Sequence, residues 1–571
     1  MPYLLLVFLL SVSSCNFFKQ KTSKKSINMA FPLEVATLDP AGAYDSQSLK
    51  AIGQTIETLY AYHYLRRPYK PEPLLAEGFP KIDKGGRRYT ISIKKNVPYH
   101  DHPVFGDTKR YVKAQDFVNQ IKRVAYAPIK SAGLWLFKGK VKGIDHFTKT
   151  VKDMDSFLKE NIEGVYAKDD NTLVIELNQP ENQMLHLLSM SFVSPIPIEF
   201  IKKYKNNLSK NIIGTGPFIL SNWEKGKKIT LKRFPSYRNS LYPNAGDRYA
   251  HSKGLLKRKK RIIPFVDEVN IFIEKDENEL FKKFLRKEID WIEAPKELVQ
   301  KHLTSSGELS QEMKSKNVKL QIYPSFSLKW LGFNMNDPIL GKNKNLRLAI
   351  THAINVDEFI DKFTQNTSLR ANSILLPGIP GYSPSRNFPY KYDLKKAKAY
   401  LESAGYPEGK GLPVFTYTTR SKSQTQISQA NWIREKIEKI GVKIKIEQVE
   451  FKDFLKRGRA GDLQFWMDGW IYDFPVAENI IQLLLSKNSP GVNKSAYSNP
   501  SVDKLYKKLA GATKGNERKR ILDDIEKTVH MDNPWILIFY NRSYLLYHNH
   551  LKNFRYASFI YNDLKYWDLE F

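Results

Sequence analysis

Several of the short motifs that mark enzyme chemistry are missing from this sequence. Its 571 residues contain no G-x-x-x-x-G-K-[ST] loop, so ATP is not held in the Walker manner, and neither H-E-x-x-H nor G-x-S-x-G occurs. Metal-ligand spacing is equally poor. His100-Asp101-His102 and His548-Asn549-His550 each offer two imidazoles where a site needs three or four ligands. Both read as surface loops, and we expect no metal, no cofactor and no catalysis. There is no internal repeat and no long low-complexity segment. Past the first fifteen residues, no apolar run is long enough to cross a membrane. Acidic side chains are in deficit, with 59 Asp and Glu against 91 Lys and Arg, a formal charge of +32. Aromatics are plentiful at 13%, beside 42% hydrophobic residues, a composition that excludes a disordered chain. A chain of 571 residues exceeds what one core usually holds, so two or three domains are expected.

Cysteine occurs once, at Cys15. Met1 to Ser14 carry no charge, and Leu4 to Leu10 form an apolar run too short for a permanent membrane helix but suited to the core of a secretory signal. Val12-Ser13-Ser14-Cys15 follows directly and resembles the lipobox of bacterial lipoproteins. That resemblance implies a signal peptide over residues 1–14, cleavage before Cys15 and acylation of its thiol. The alternative is a buried cysteine in an uncleaved N-terminal helix. Residues 15–27, with the basic stretch Lys19 to Lys25, read as a flexible tether. Export changes the meaning of the charge. In the cytoplasm a basic surplus would point to nucleic acid. Outside it, the available anions are lipid headgroups, cell-wall polymers and acidic solutes. We therefore expect no nucleic acid partner, and a place in the cell envelope, anchored by lipid to a membrane and facing the periplasm or the cell exterior.

The body of the chain patterns as mixed α/β. Strand-like alternation appears at Tyr89 to Lys94, Leu173 to Leu177, Val269 to Ile273 and Val442 to Val449. Helical spacing appears at Ala114 to Val124, Leu346 to Ile354, Leu394 to Ala404 and Ser428 to Ile440. The last two stop at Gly405 and Gly441, as a left-handed closing residue requires. The run Lys257-Arg258-Lys259-Lys260-Arg261 reads as a solvated loop, since no interleaved aromatics stand ready to stack bases.

A series of segments, in order, carries a broader resemblance. Thr37-Leu38-Asp39-Pro40 is followed by Glu57-Thr58-Leu59-Tyr60, by Pro73-Leu74-Leu75-Ala76-Glu77 and by the block Tyr89 to Asp101. Next come Val112 to Phe117, the glycine turn Gly214-Thr215-Gly216-Pro217-Phe218, then Leu331 to Met335 and Leu346 to Ile350. Tyr497-Ser498-Asn499-Pro500 with Asp503 completes the series. Together they resemble the oligopeptide- and dipeptide-binding proteins, family 5 of the bacterial solute-binding proteins.

The resemblance implies an α/β, two-lobed periplasmic-binding-protein fold, with mixed sheets flanked by helices and an extra subdomain inserted in the first lobe. Residues 28–324 and 536–571 would form the first lobe, with the subdomain near 72–192, and residues 325–535 the second. The hinge would fall near Tyr323 to Lys329 and Trp535 to Asn541. The implied partners are a peptide ligand and the permease and ATPase subunits of an ABC importer, with the chain itself a monomer. Capture would be by strand addition, which binds any sequence through its main chain. The specific demand is a carboxylate for the peptide's ammonium, which is costly to bury unpaired. Asp468-Gly469-Trp470-Ile471-Tyr472-Asp473-Phe474-Pro475 resembles the family segment G-W-x-x-D-Y-x-x-P/E, whose Asp has that role. Asp473 is thus the expected clamp and Trp470 a pocket wall. Val476-Ala477 departs from the Asp-Pro found in relatives and leaves the ligand subclass open. The loop Tyr44, Asp45, Ser46 should approach the ligand backbone, and Ser325, Phe326 and Ser327 should offer a pairing strand. Trp135 reads as a core aromatic or a wall of the cleft. Two rival readings are a surface lipoprotein that binds host or cell-wall polymers or signalling peptides without transport, and a secreted hydrolase.

Overall fold

The computed structural model describes residues 24–304, 307–385, 390–512 and 515–571. Cys15 and its lipobox lie outside the described residues.

The patterned segments form where their spacing places them. The alternation at Tyr89 gives the strand Arg88–Ser92, with Tyr89 and Ile91 buried and Arg88 and Ser92 exposed. The glycines end two helices as expected. Leu394–Ser403 closes before Gly405 at φ +88° and Gln424–Glu438 before Gly441 at +91°, a region open to glycine at little steric cost.

Three sheets organise the molecule. Ser26–Phe31, Glu268–Ile273, Lys228–Arg233 and Phe218–Glu224 form the first in that order, with only the first pair parallel. Lys81–Ile82, Arg88–Ser92, Thr172–Glu176 and Val165–Asp169 form an antiparallel second sheet, packed by the helix Ala114–Ala125. The third has seven strands. Its path runs Trp291–Glu293, Trp535–His548, Val318–Phe333, Phe465–Ile471, Phe415–Thr419 and Ile444–Gln448, and Leu369–Arg370 pairs with Trp535–His548.

The two long strands of that third sheet, Val318–Phe333 and Trp535–His548, pair with one another. They pair from Val318 opposite His548 to Pro324 opposite Arg542, and resume at Leu328 opposite Tyr540. The gap leaves Ser325, Phe326 and Ser327 outside that ladder. Phe326 there takes φ +45°, a strained backbone for a bulky residue, held by ring contacts to Tyr69, Tyr323 and Phe559. Beyond the gap, Ser327 pairs with Ile471 on the neighbouring strand.

Two histidine readings need correction. His100 and His548 are not on surface loops: they are 3% and 2% exposed. A ring nitrogen of each meets a carbonyl, Gly216 O at 2.9 Å and Phe284 O at 2.7 Å, which satisfies the buried imidazole. His100 instead knits the Tyr89–Asp101 block to the glycine turn. That turn is itself packed on backbone, since a Cβ on Gly214 would stand 2.1 Å from Thr55 O. Thr215 donates to Glu57, which also receives Tyr237 and both terminal nitrogens of Arg238.

Candidate functional site

The site is built on the loop before the helix Ser46–Ile52 and on the end of the strand Phe465–Ile471. Asp39 begins the loop. Its carboxylate accepts Ala41 N–H at 2.9 Å and two guanidinium hydrogens from fully buried Arg123, at 2.9 and 2.7 Å. The loop is thereby pinned to the subdomain helix that carries Arg123. Asp45 then caps the helix Ser46–Ile52 by accepting Ser48 N–H, so its carboxylate serves the fold. Between these two anchors Tyr44 is held out toward the second lobe.

Opposite it, the strand Phe465–Ile471 delivers Trp470 and then Asp473. Tyr44 Oη donates to Asp473 Oδ1 at 2.5 Å, and Asn479 Nδ2 donates to Oδ2 at 3.1 Å. The same Asn479 accepts Trp470 Nε1–H at 2.8 Å and the Asp473 N–H at 3.2 Å. One fully buried amide thus orients the wall and the carboxylate together. Burial pushes the Asp473 carboxyl up from its ordinary value, against the hydrogen bonds from Tyr44 and Asn479. The Tyr44 hydroxyl is raised as well, by burial and then by the Asp473 charge. Among the described residues, no cationic side chain pairs with Asp473.

Asp473, Tyr44, Ser46, Trp470 and Ser327 all line one cavity of about 570 Å³ between the lobes. Ser325 and Phe326 line an adjoining cavity of about 700 Å³ that shares Ser46, Tyr472 and Tyr561 with the first. Ser325 Oγ is buried there without a partner. Trp135 sits between the two sequence readings: it stacks on Phe474 at 6.3 Å and 19°, beside the cleft.

Four contributors were not singled out from sequence. Asn479 carries no motif, and only its place six residues past Asp473 could have drawn notice. Lys329 and Arg420 line the cavity and make its wall basic. Arg420 lies 3.9 Å from Asp468, whose carboxylate is already held by Lys494 at 2.6 Å. His186 hydrogen-bonds Tyr62 at 2.8 Å, and burial lowers its pKa to about 4, so it enters the cavity neutral. The site therefore presents a carboxylate without a countercharge, two cations, and aromatic walls between them.

Known proteins share this chain's sequence and fold. The chain is 25% identical over 484 residues to the dipeptide-binding protein of Escherichia coli (strain K12), covering 82% of this chain and 80% of that one. It is 26% identical over 546 residues to the oligopeptide-binding protein OppA of Bacillus subtilis (strain 168), covering 92% and 90%. The solved structure of HbpA2 from Haemophilus parasuis superposes with a TM-score of 0.76 at 22% identity, covering 96% of this chain and all of that one, and so shares the two-lobed fold. The model of the bacterial extracellular solute-binding proteins, family 5, matches residues 70–491, and to that family this chain belongs.

Proposed function

We infer that this protein captures peptides in the cleft between its lobes and delivers them, as a lipid-anchored monomer, to the permease and ATPase of an ABC importer. The observation that carries the reading is Asp473: a half-buried carboxylate in a ligand-sized cavity, hydrogen-bonded by neutral groups and paired with no cation among the described residues. A peptide's α-ammonium supplies the missing charge. The relatives named for dipeptides and oligopeptides support the same ligand class. Trp470 walls the first side-chain pocket. Tyr44 and Ser46 approach the ligand from the first lobe, and Ser325 offers main chain at the gap in the crossover ladder, where Phe326 O already accepts Tyr472 N–H and Ser327 already pairs with Ile471. Lys329 and Arg420 meet the carboxylate of a short ligand or an acidic side chain. The lobe of residues 325–535 closes over the remainder about the hinge at Tyr323 to Lys329 and Trp535 to Asn541.

Calorimetry with one tripeptide, free and N-acetylated, tests this. Losing one partner of a buried charge pair costs about 2–5 kcal/mol, so acetylation should weaken binding roughly thirtyfold to several-thousandfold. Equal affinity for both forms, or no binding of either, would overturn the reading. The anchor has its own test. Two acyl chains hold a protein in a membrane where one is marginal, so Cys15→Ala should release the protein from washed membranes, and full retention would contradict acylation at Cys15.

A further inference from the structure

The basic run Lys257 to Arg261 stands in a setting that its sequence alone does not reveal. Leu241 and Ile262 bridge one another beside it and remain 54% and 50% exposed. Tyr242 N–H donates to Arg261 O, and Lys260 N–H to Tyr242 O, so the run and these apolar residues form one small platform. Tyr249 is 39% exposed, with the Lys253 ammonium 5.9 Å from its ring. Arg258 pairs with Asp568 and Glu570, but among the described residues Arg248, Lys253, Lys257, Lys259, Lys260 and Arg261 form no ion pair.

The platform also lies where the chain enters the fold. Asp568 holds Lys25 at 2.7 Å and Arg258 at 3.0 Å, so the first described residues and the basic run share one carboxylate. Lys24 pairs with Glu268, a few residues past Ile262, and Asp267 N–H donates to Lys25 O. Nine residue steps separate Cys15 from Lys24, which even fully extended reach about 30 Å. A lipid on Cys15 therefore keeps this face close to the membrane. Unpaired lysines interleaved with exposed aliphatic side chains suit an anionic headgroup layer, where charge attracts and the apolar tips enter the interface.

We propose that the face formed by Leu241, Tyr249, Lys257, Lys260, Arg261 and Ile262 docks on anionic phospholipid and sets the orientation of the anchored protein. The proposal rests on the lipid-anchor reading for its biology, and its chemistry is testable without the lipid. Its partner is the headgroup surface; an acidic wall polymer is the competing partner.

The test uses the full chain carrying Cys15→Ala, so that no acyl group contributes, with vesicles of phosphatidylcholine alone or mixed equally with phosphatidylglycerol. Binding is expected only to the mixed vesicles. Each basic residue near an anionic surface contributes about a fivefold factor in partitioning. Joint Lys257→Gln, Lys259→Gln, Lys260→Gln and Arg261→Gln should thus weaken binding at least about tenfold. The same number of exposed lysines in the second lobe, changed as Lys395→Gln, Lys398→Gln, Lys443→Gln and Lys445→Gln, provides the charge-matched control and should change binding less than about twofold. Leu241→Ser with Ile262→Ser should weaken the binding that survives at high salt. Thermal melting of each variant checks that it folds. Equal losses in patch and control variants would show net charge at work and overturn the proposal, as would failure of the Cys15→Ala chain to bind the mixed vesicles. Binding to soluble poly(glycerol phosphate) without binding to vesicles would also overturn it, in favour of the wall polymer. None of these outcomes depends on acylation at Cys15, which the membrane wash decides separately.

Discussion

A carboxylate that leaves water must be repaid in hydrogen bonds or opposite charge. Asp473 has the first from Tyr44 and Asn479 and, among the described residues, lacks the second, so burial holds its carboxyl above its ordinary value. The sign of its pH dependence follows. An ammonium is attracted to the ionised form, and a protonated Asp473 offers it nothing, so affinity is full well above the raised pKa and declines as pH falls through it. Calorimetry should show peptide affinity beginning to drop while ordinary surface carboxylates are still ionised. An affinity flat down to their range, near pH 4, would contradict the assignment. Asp473 was legible in the sequence through the aromatic-flanked segment around it. Asn479, Lys329 and Arg420 were not, because each reaches the site through strand pairing or a helix start that no local pattern encodes.

Elements explain why the recognisable segments are where they are. Glu57 and the glycine turn at Gly214 stand about 160 residues apart in sequence, yet they form one buried unit. Burial by itself would raise the Glu57 carboxyl; Arg238, with help from Tyr237, brings it below its ordinary value of 4.5. A carboxyl depressed on folding contributes stability that is present above its unfolded pKa and lost as pH falls through the folded one. Glu57→Gln should therefore cost about 3–5 kcal/mol in urea unfolding at neutral pH, because it leaves Arg238 buried and unpaired. That gap should narrow once the pH falls below the ordinary glutamate value. A gap that is the same at both pH values would deny the ion pair its role. Helices and strands with clean periodicity, such as Ala114–Ala125 and Arg88–Ser92, were readable from spacing alone. The two histidine segments were misread as surface loops: His100 sits in a loop but is buried, and His548 ends a strand, since a short polar run says nothing of the distant carbonyls it meets.

At the scale of the whole molecule, Phe474 is the contact on which closure would turn. This residue follows Asp473 on the second lobe's strand end, is 2% exposed, and packs in the core built from residues 41 to 213. Trp135 and His186 stack on its ring. Burying a Phe contributes about 1.5–3 kcal/mol, so Phe474→Ala should shift the ligand-free protein toward the open form by roughly tenfold to a hundredfold. X-ray scattering should record a larger radius of gyration for that variant without ligand, and a smaller difference once peptide is bound. Identical scattering of the two free proteins would show that the contact does not hold the lobes together. The long strands Val318–Phe333 and Trp535–His548 run through the aromatic-rich extended stretches of the sequence, but the gap at Ser325 to Ser327 depends on the register of two strands over 200 residues apart and could only be seen in the fold.

The central claim is that Asp473 takes the ligand's ammonium, and a double-mutant cycle tests it most directly. Native protein and Asp473→Asn would each be titrated calorimetrically with the free and the N-acetylated form of one peptide. Direct contact predicts strong coupling: acetylation weakens binding roughly thirtyfold to several-thousandfold in the native protein and far less in Asp473→Asn. Independent, additive losses in the four titrations would contradict the account and leave Asp473 as a residue of the turn.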